Sequence, residues 1–106
     1  MKNGEIQKFM IDSKYQEIFK LKNMLHDAGI PYVFQSSYDG FQIGVPTLDK
    51  EDIICDAIEH CYSYGCEKDL LEMMGLIPEY VDDAVEGYLT AETVFERIKN
   101  YYNSKE

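Results

Sequence analysis

An abrupt helix-ending signal, Ala28-Gly29-Ile30-Pro31, lies in the first third of this 106-residue chain. Before it, apolar residues recur at helical spacing, and Ser13 with Gln16 fits the S-x-x-Q capping box. The glycine can adopt the left-handed conformation that ends a helix, and the isoleucine can then fold back onto Leu25. The proline forbids continuation. The sequence therefore predicts a first helix over residues 13–28.

The residues that follow predict a β-hairpin. Tyr32-Val33-Phe34-Gln35-Ser36 is aromatic and β-branched, and Phe41-Gln42-Ile43-Gly44-Val45 alternates apolar with small or polar residues. Between them, Ser37-Tyr38-Asp39-Gly40 supplies the chemistry of an Asp-Gly turn. Pro46 then ends the hairpin.

Residues 53–61 fit two periodicities. One apolar set has helical spacing: Ile53, Ile54, Ala57, Ile58 and Cys61. Another set alternates as a strand does: Ile54, Asp56, Ile58 and His60. Periodicity alone slightly favours the helix.

The C-terminal part predicts helices. Glu67 and Asp69 carry charges that suit the N-terminus of a helix over residues 67–74, and Gly75 is a natural stop. Residues 79–89 predict a short helical turn followed by an extended piece. Thr90 is a good N-cap for the last helix.

Several sequence pieces, in order, carry a resemblance: Phe19-Lys20-Leu21-Lys22, Ala28-Gly29-Ile30-Pro31, Gly40-Phe41-Gln42-Ile43, Ser63-Tyr64-Gly65, Asp69-Leu70-Leu71-Glu72-Met73-Met74-Gly75-Leu76 and Gly87-Tyr88-Leu89-Thr90-Ala91-Glu92 with Val94-Phe95. With these, residues 15–100 resemble a largely uncharacterised family of small acidic proteins. That family is encoded by phages and mobile elements of Gram-positive (Firmicutes) gut bacteria.

The resemblance implies a strand rather than a helix at residues 53–60. It thus implies an α+β fold: an N-terminal helix, a small antiparallel β-meander of about three strands, and two or three C-terminal helices. We expect residues 1–12 to form an arm and residues 13–103 to form a single α+β domain, because no linker or repeat interrupts them.

Acidic residues dominate the chain, whose net charge is −10. From Asp49 to Glu96, fourteen acidic residues face two lysines, a net charge of −12. Such a field repels phosphates, so we expect no direct binding of nucleic acid and no anionic membrane partner. Binding of a basic partner protein remains an alternative, with Asp82, Asp83 and Glu86 as its candidate contacts. Simple solubility explains the same charge.

Three cysteines, Cys55, Cys61 and Cys66, are an odd number, and the N-terminus has no signal-peptide pattern. Both features predict a reducing cytoplasm. The resemblance implies that this is the cytoplasm of a bacterial host. The spacing lacks the C-x-x-C of a zinc site, so we expect small buried thiols and neither a metal nor a cofactor.

The segment from His60 to Glu67 is the candidate ligand site. Two tyrosines flank a serine there, and a glycine allows close approach of the backbone. The candidate residues are His60, Tyr62, Ser63, Tyr64, Gly65, Glu67 and, nearby, Tyr88. The competing interpretation is a tight turn whose tyrosines pack on the core.

No pattern of residues specifies catalysis: adjacent His60 and Cys61 diverge on a strand. The sequence therefore predicts a non-enzymatic binding protein. The resemblance implies a counter-defence role, in which the protein sequesters a small signalling ligand or occludes a host defence protein. An acidic nucleic-acid-mimic decoy and a structural or regulatory subunit are the alternatives. Apolar Met73 and Met74, with Tyr101 and Tyr102, predict a homo-oligomer, here a dimer.

Overall fold

The computed structural model describes residues 14–77 and 85–105. The elements are, in chain order, α1 (Gln16–Asp27), β1 (Val33–Ser37), β2 (Gly40–Val45), β3 (Cys55–Glu59), a 3-10 turn (Cys66–Lys68), β4 (Leu71–Met74), β5 (Val85–Leu89) and α2 (Ala91–Ser104). The strands form one antiparallel sheet in the order β1-β2-β3-β4-β5. The predicted α+β class, with an N-terminal helix, an antiparallel sheet and a C-terminal helix, is confirmed.

Helix α1 ends as its sequence predicts. Gly29 has a φ of +72°, its N–H donates to the His26 carbonyl, and the Ile30 N–H donates to the Leu25 carbonyl at 3.0 Å. These two bonds are the Schellman pair. The predicted capping box is wrong, because Gln16 is the first residue of the helix and Tyr15 occupies the N-cap position without a side-chain cap.

The hairpin and the third strand are confirmed. Strands β1 and β2 pair from Val33 with Gly44 to Ser37 with Gly40. The centre of the turn is therefore Tyr38 and Asp39 rather than the predicted Asp-Gly pair, because Gly40 is already the first residue of β2. Strand β3 then pairs with β2, Phe41 facing Glu59. The strand interpretation of residues 53–60 therefore holds, and helical spacing was the wrong periodicity there.

The helix predicted over residues 67–74 is wrong. A 3-10 turn occupies its start, and Leu71–Met74 is instead strand β4, paired with both β3 and β5. Leu71 and Met73 are buried while Met74 is exposed, so the segment alternates with period two. The sheet thus has five strands rather than about three. Only one C-terminal helix, not two or three, lies within residues 85–105.

The core lies between one face of the sheet and the two helices. Helix α1 contributes Ile18, Leu21 and Leu25, and α2 contributes Ala91, Val94 and Ile98. The sheet contributes every second residue of its strands: Ile43, Val45, Cys55, Ala57, Leu71, Met73 and Leu89. Burial of this apolar surface is the main stabilising contribution to the fold.

The other face of the sheet carries a polar ladder across three strands. The Gln35 amide donates to the side-chain carbonyl of Gln42 at 3.1 Å, and the Gln42 amide donates to the Asp56 carboxylate at 2.9 Å. This face therefore satisfies its half-buried polar groups within the sheet.

Helix α2 begins where the sequence predicts. Thr90 is its N-cap, and its hydroxyl accepts the Thr93 N–H at 3.3 Å. The first residue of the helix, Ala91, donates its N–H to the carboxylate of Glu17 in α1 at 2.7 Å. The two helices are thus joined at their N-terminal ends.

Within residues 14–77 and 85–105, neither helix has the length and apolar character needed to cross a membrane. The predicted N-terminal arm and the helical turn after residue 78 lie outside these ranges, except for the extended piece at Gly87–Leu89, which is confirmed as part of β5.

Candidate functional site

One end of the sheet brings together most of the predicted site residues. In an antiparallel meander, the β1–β2 turn and the β3–β4 loop lie at the same end. The N-terminus of α1 joins them, because the Tyr15 hydroxyl donates to the Asp39 carbonyl. The β3–β4 loop, residues 60–70, contains six of the seven predicted ligand-binding residues, and Tyr88 of β5 packs beside it.

The loop begins with a tight turn built on His60 and Ser63. The Ser63 hydroxyl accepts the His60 N–H at 3.0 Å and donates to the His60 carbonyl at 2.9 Å. The Tyr62 N–H donates to His60 Nδ1 at 3.1 Å. Ser63 is buried and uses its hydroxyl within the turn, so it shapes the loop. His60 Nδ1 is fixed as an acceptor, which makes Nε2 the protonated nitrogen of the neutral ring.

Four tyrosines are exposed around this loop, and we call them the tyrosine rim: Tyr38, Tyr62, Tyr64 and Tyr88. Tyr38 and Tyr62 are 76% and 73% exposed although their rings meet edge to face, with centroids 5.2 Å apart. The Tyr38 ring also packs against the His60 ring, with their centroids 4.8 Å apart. The loop does contain the tight turn of the competing interpretation, but Tyr62 and Tyr64 do not pack into the core.

Gly65 holds the other side of the rim together. Its φ is +107°, and a Cβ there would lie 2.8 Å from the Tyr88 backbone nitrogen. The close approach lets the Tyr88 N–H donate to the Tyr64 carbonyl at 3.3 Å. Gly65 therefore serves loop geometry, and any side chain there would push the loop away from β5.

Two carboxylates anchor the same side of the rim. The Tyr88 hydroxyl donates to Glu67, and this bond lowers the pKa of the carboxyl and raises that of the phenol. Glu72 accepts the Tyr64 N–H at 2.8 Å. These bonds hold the Tyr88 ring and the Tyr64 backbone in place.

A pocket of about 220 Å³ opens beside the rim, between the N-terminus of α1 and the β3–β4 loop. The pocket is lined by Glu59 together with Lys14, Tyr15, Asp39, His60, Cys61 and Cys66. We call it the Glu59 pocket. His60 belongs to both the pocket and the rim, so the two form one continuous site.

Glu59 is the most unusual residue of this site. It is 1% exposed, and neither carboxylate oxygen has a hydrogen-bond partner among the described residues. Burial is the main cause that raises its pKa, to about 7, and the negative charge of Asp69 adds to it. The N–H groups of Ile18 and Tyr15 at the start of α1 pull the pKa down, although neither forms a hydrogen bond.

The predicted partner-binding residues are placed differently. Glu86 forms an ion pair with Arg97 at 3.0 Å on the helix-covered side of the sheet. Asp82 and Asp83 lie outside the described residues. Met73 is buried, which leaves Met74 as the exposed methionine of the predicted oligomer contact.

The cysteines are free thiols. Cys55 is buried in the core, and burial raises its pKa to about 12. Cys61, by contrast, is exposed. In the described ranges, no three His, Cys, Asp or Glu side chains come close enough together to hold a metal ion.

Sequence reasoning did not include Glu59, Tyr38 or Asp39 in the site, nor four further residues that line the pocket: Lys14, Tyr15, Cys61 and Cys66. Asp39 accepts the Cys61 N–H at 2.8 Å and so ties the β1–β2 turn to the β3–β4 loop. A signal for Tyr38 and Asp39 was available, because a predicted meander places the two connections at one end. Glu59 shares the strand parity of buried Cys55 and Ala57, which was the signal for its burial.

No protein-family model, curated protein or solved structure matches this chain. The family resemblance therefore stays a prediction, and the site itself is the basis for inferring function.

Proposed function

We propose that this protein is a non-enzymatic binding protein that sequesters a small signalling ligand at the tyrosine rim. The observation that carries the proposal is the clustering of four exposed tyrosines around one loop, beside a pocket. In the cytoplasm of a bacterial host, such capture would serve a phage or mobile element against host defence.

The tyrosine rim supports capture by stacking. Tyr38 and Tyr62 touch edge to face and leave most of their ring surface open. Flat ring systems stack on such faces, and each tyrosine adds a hydroxyl for polar contacts. We therefore expect a ligand that contains a planar ring.

Rigidity of the loop supports tight binding. Its turns are closed by the Ser63 hydroxyl and by the Asp39 and Glu72 carboxylates, which all accept backbone N–H groups. A site that is ordered before binding loses less conformational entropy on capture. The same bonds would hold Tyr38 and Tyr62 at a fixed distance from Tyr64 and Tyr88.

Native mass spectrometry of the protein purified from bacterial lysate tests the proposal. We expect a discrete added mass on the wild type that is absent from a Tyr38→Ala, Tyr62→Ala double variant. The matched control is Tyr101→Ala, in the last turns of α2 and away from the rim. Gly65→Val is unsuitable for this purpose, because it would distort the loop.

Other outcomes would contradict ligand capture. A basic protein that co-purifies only at low salt would favour the acidic-decoy alternative, since screening weakens charge pairing. A clean mass in every variant, with no partner at any salt concentration, would favour a structural or regulatory subunit. The same spectra report whether the protein is a dimer.

A further inference from the structure

The Glu59 pocket contains a buried carboxylate that has no hydrogen-bond partner among the described residues. We propose that this pocket receives the ammonium group of the ligand, so that the captured molecule is a small amine. The inference rests on the proposed ligand-binding function and deepens it. Buried carboxylates are normally paired or hydrogen-bonded, because desolvation of an unpaired charge is costly. An ammonium group offers three N–H donors and an opposite charge.

The charges that face the pocket favour a cation. Asp39 lines it, and the negative charges of Glu17 in α1 and Asp69 in the β3–β4 loop act on Glu59. Against them stands Lys14, whose ammonium lies 5.0 Å from the centre of the Tyr15 ring. Three acidic neighbours and one base would repel a phosphate or carboxylate group.

The lining of the pocket also suits an amine on a short carbon chain. Tyr15 and His60 contribute ring surface, and the Cys61 and Cys66 side chains contribute soft, weakly polar surface. A volume of about 220 Å³ holds the head of a ligand rather than the whole of it. Because His60 also contacts Tyr38, the rest of the ligand would continue onto the tyrosine rim.

A metal ion is a poorer occupant than an amine. The described His, Cys, Asp and Glu side chains form no group of three with a spacing suitable for a metal. His60 Nδ1 and one Asp39 oxygen already accept backbone N–H groups. A multidentate donor such as ammonium needs acceptor oxygens, which Glu59 supplies.

Three probes of equal size separate the possible charges: propylamine, 1-propanol and propionate. Each is titrated at pH 8 into full-length protein labelled with ¹³C at the glutamate carboxyl, and the Glu59 resonance is followed. We expect saturable binding of propylamine and no saturation by the other two. Glu59→Gln should weaken propylamine binding at least tenfold, as measured from the amide resonances of the loop.

Asp56→Asn is the matched control, because Asp56 is a half-buried carboxylate on the same strand but is already bonded to Gln42. It should bind propylamine as the wild type does. Propionate binding as tight as that of propylamine, or unchanged affinity in a folded Glu59→Gln variant, would overturn the inference.

Failure of this inference is distinguishable from failure of the proposed function. If Glu59→Gln retains the lysate-derived mass that the rim double variant loses, the ligand is captured but is not held through an ammonium group. If no variant or wild-type protein retains any mass, ligand capture itself is wrong.

Discussion

Asp56 and Glu59 are two acidic residues three positions apart on β3, and their side chains lie in opposite environments. Asp56 points to the open face of the sheet, where the Gln42 amide donates to it. Glu59 points to the helix-covered face, where it is buried and its oxygens accept no hydrogen bond from residues 14–77 or 85–105. Burial raises the pKa of both groups. The Gln42 bond counteracts the rise for Asp56, and the backbone N–H groups of Ile18 and Tyr15 counteract it in part for Glu59.

The difference separates a structural carboxylate from a candidate functional one. A charged group whose donor comes from the neighbouring strand is satisfied by the fold alone. A buried carboxylate beside a pocket, with no hydrogen bond from the residues that the structure describes, is a candidate functional group. Four variants test this comparison, from the largest expected effect to the smallest.

Glu59→Gln should stabilise the ligand-free protein at high pH. The raised pKa means that the folded state holds a proton between pH 4.5 and about 7 that the unfolded state has released. Wild-type stability therefore falls as the pH rises through this window. At 1.36 kcal/mol per pKa unit, the variant should be more stable by up to roughly 3 kcal/mol at pH 8 and by nothing at pH 4.

Urea denaturation at several pH values measures this difference. The control is Glu96→Gln, an exposed glutamate of α2. If the pH profiles of wild type and Glu59→Gln run parallel, Glu59 does not differ from an ordinary carboxylate and the comparison with Asp56 collapses.

Glu17→Ala should cost about 1–2 kcal/mol, the usual cost of losing an N-terminal cap. The substitution leaves the Ala91 N–H without its acceptor at the start of α2. It should also lower the pKa of Glu59, because the Glu17 charge contributes to the raised value. Glu17→Gln keeps an acceptor oxygen, so equal losses for the two variants would contradict the capping role. Thermal unfolding and carboxyl NMR titration measure the two effects.

Gln42→Ala should leave Asp56, like Glu59, without a side-chain hydrogen-bond donor among the described residues. Loss of the amide donor should raise the pKa of Asp56 further and cost about 1 kcal/mol at pH 7. Gln35→Ala is the control, because it breaks only the outer bond of the ladder. An Asp56 titration by NMR that is identical in both variants would show that Gln42 is not the donor that matters.

Lys20→Ala should change stability least. Lys20 and Glu92 form an ion pair at 2.6 Å, but both side chains are about half exposed. Solvent screens such pairs, so the denaturation midpoint should move little and not at all in high salt. The pKa of Glu92, which Lys20 lowers, should rise towards its ordinary value. A larger loss than that of Gln42→Ala would reverse the ranking of buried and exposed pairs.

Local signals were enough for the helix ends and the hairpin. The Schellman end at Gly29 and the cap at Thr90 depend on neighbouring residues alone, and both are found. Strand β4 was missed because the acidic residues before it and the glycine after it resemble the start and end signals of a helix. Its strand conformation depends on pairing with β3 and β5, which no short window of sequence contains.

The candidate site shows the same division. Six loop residues were predicted to lie together because they are adjacent in sequence, whereas the role of each depended on distant contacts. The Ser63 hydroxyl is hydrogen-bonded within its own turn, and Gly65 is needed for the close approach of the Tyr88 backbone. The unpartnered state of Glu59 depends on how α1 begins, more than 40 positions earlier.

The bond from Ala91 to Glu17 joins positions 74 residues apart. On the ribosome, the first helix and the whole sheet are synthesised before the partner of Glu17 has emerged. Until then, the helix side of the sheet lacks Val94 and Ile98 and stays partly uncovered. Contacts of such long sequence separation slow folding. Native structure is therefore completed only after α2 has been synthesised, and a premature stop before residue 91 would release a chain with an open apolar face.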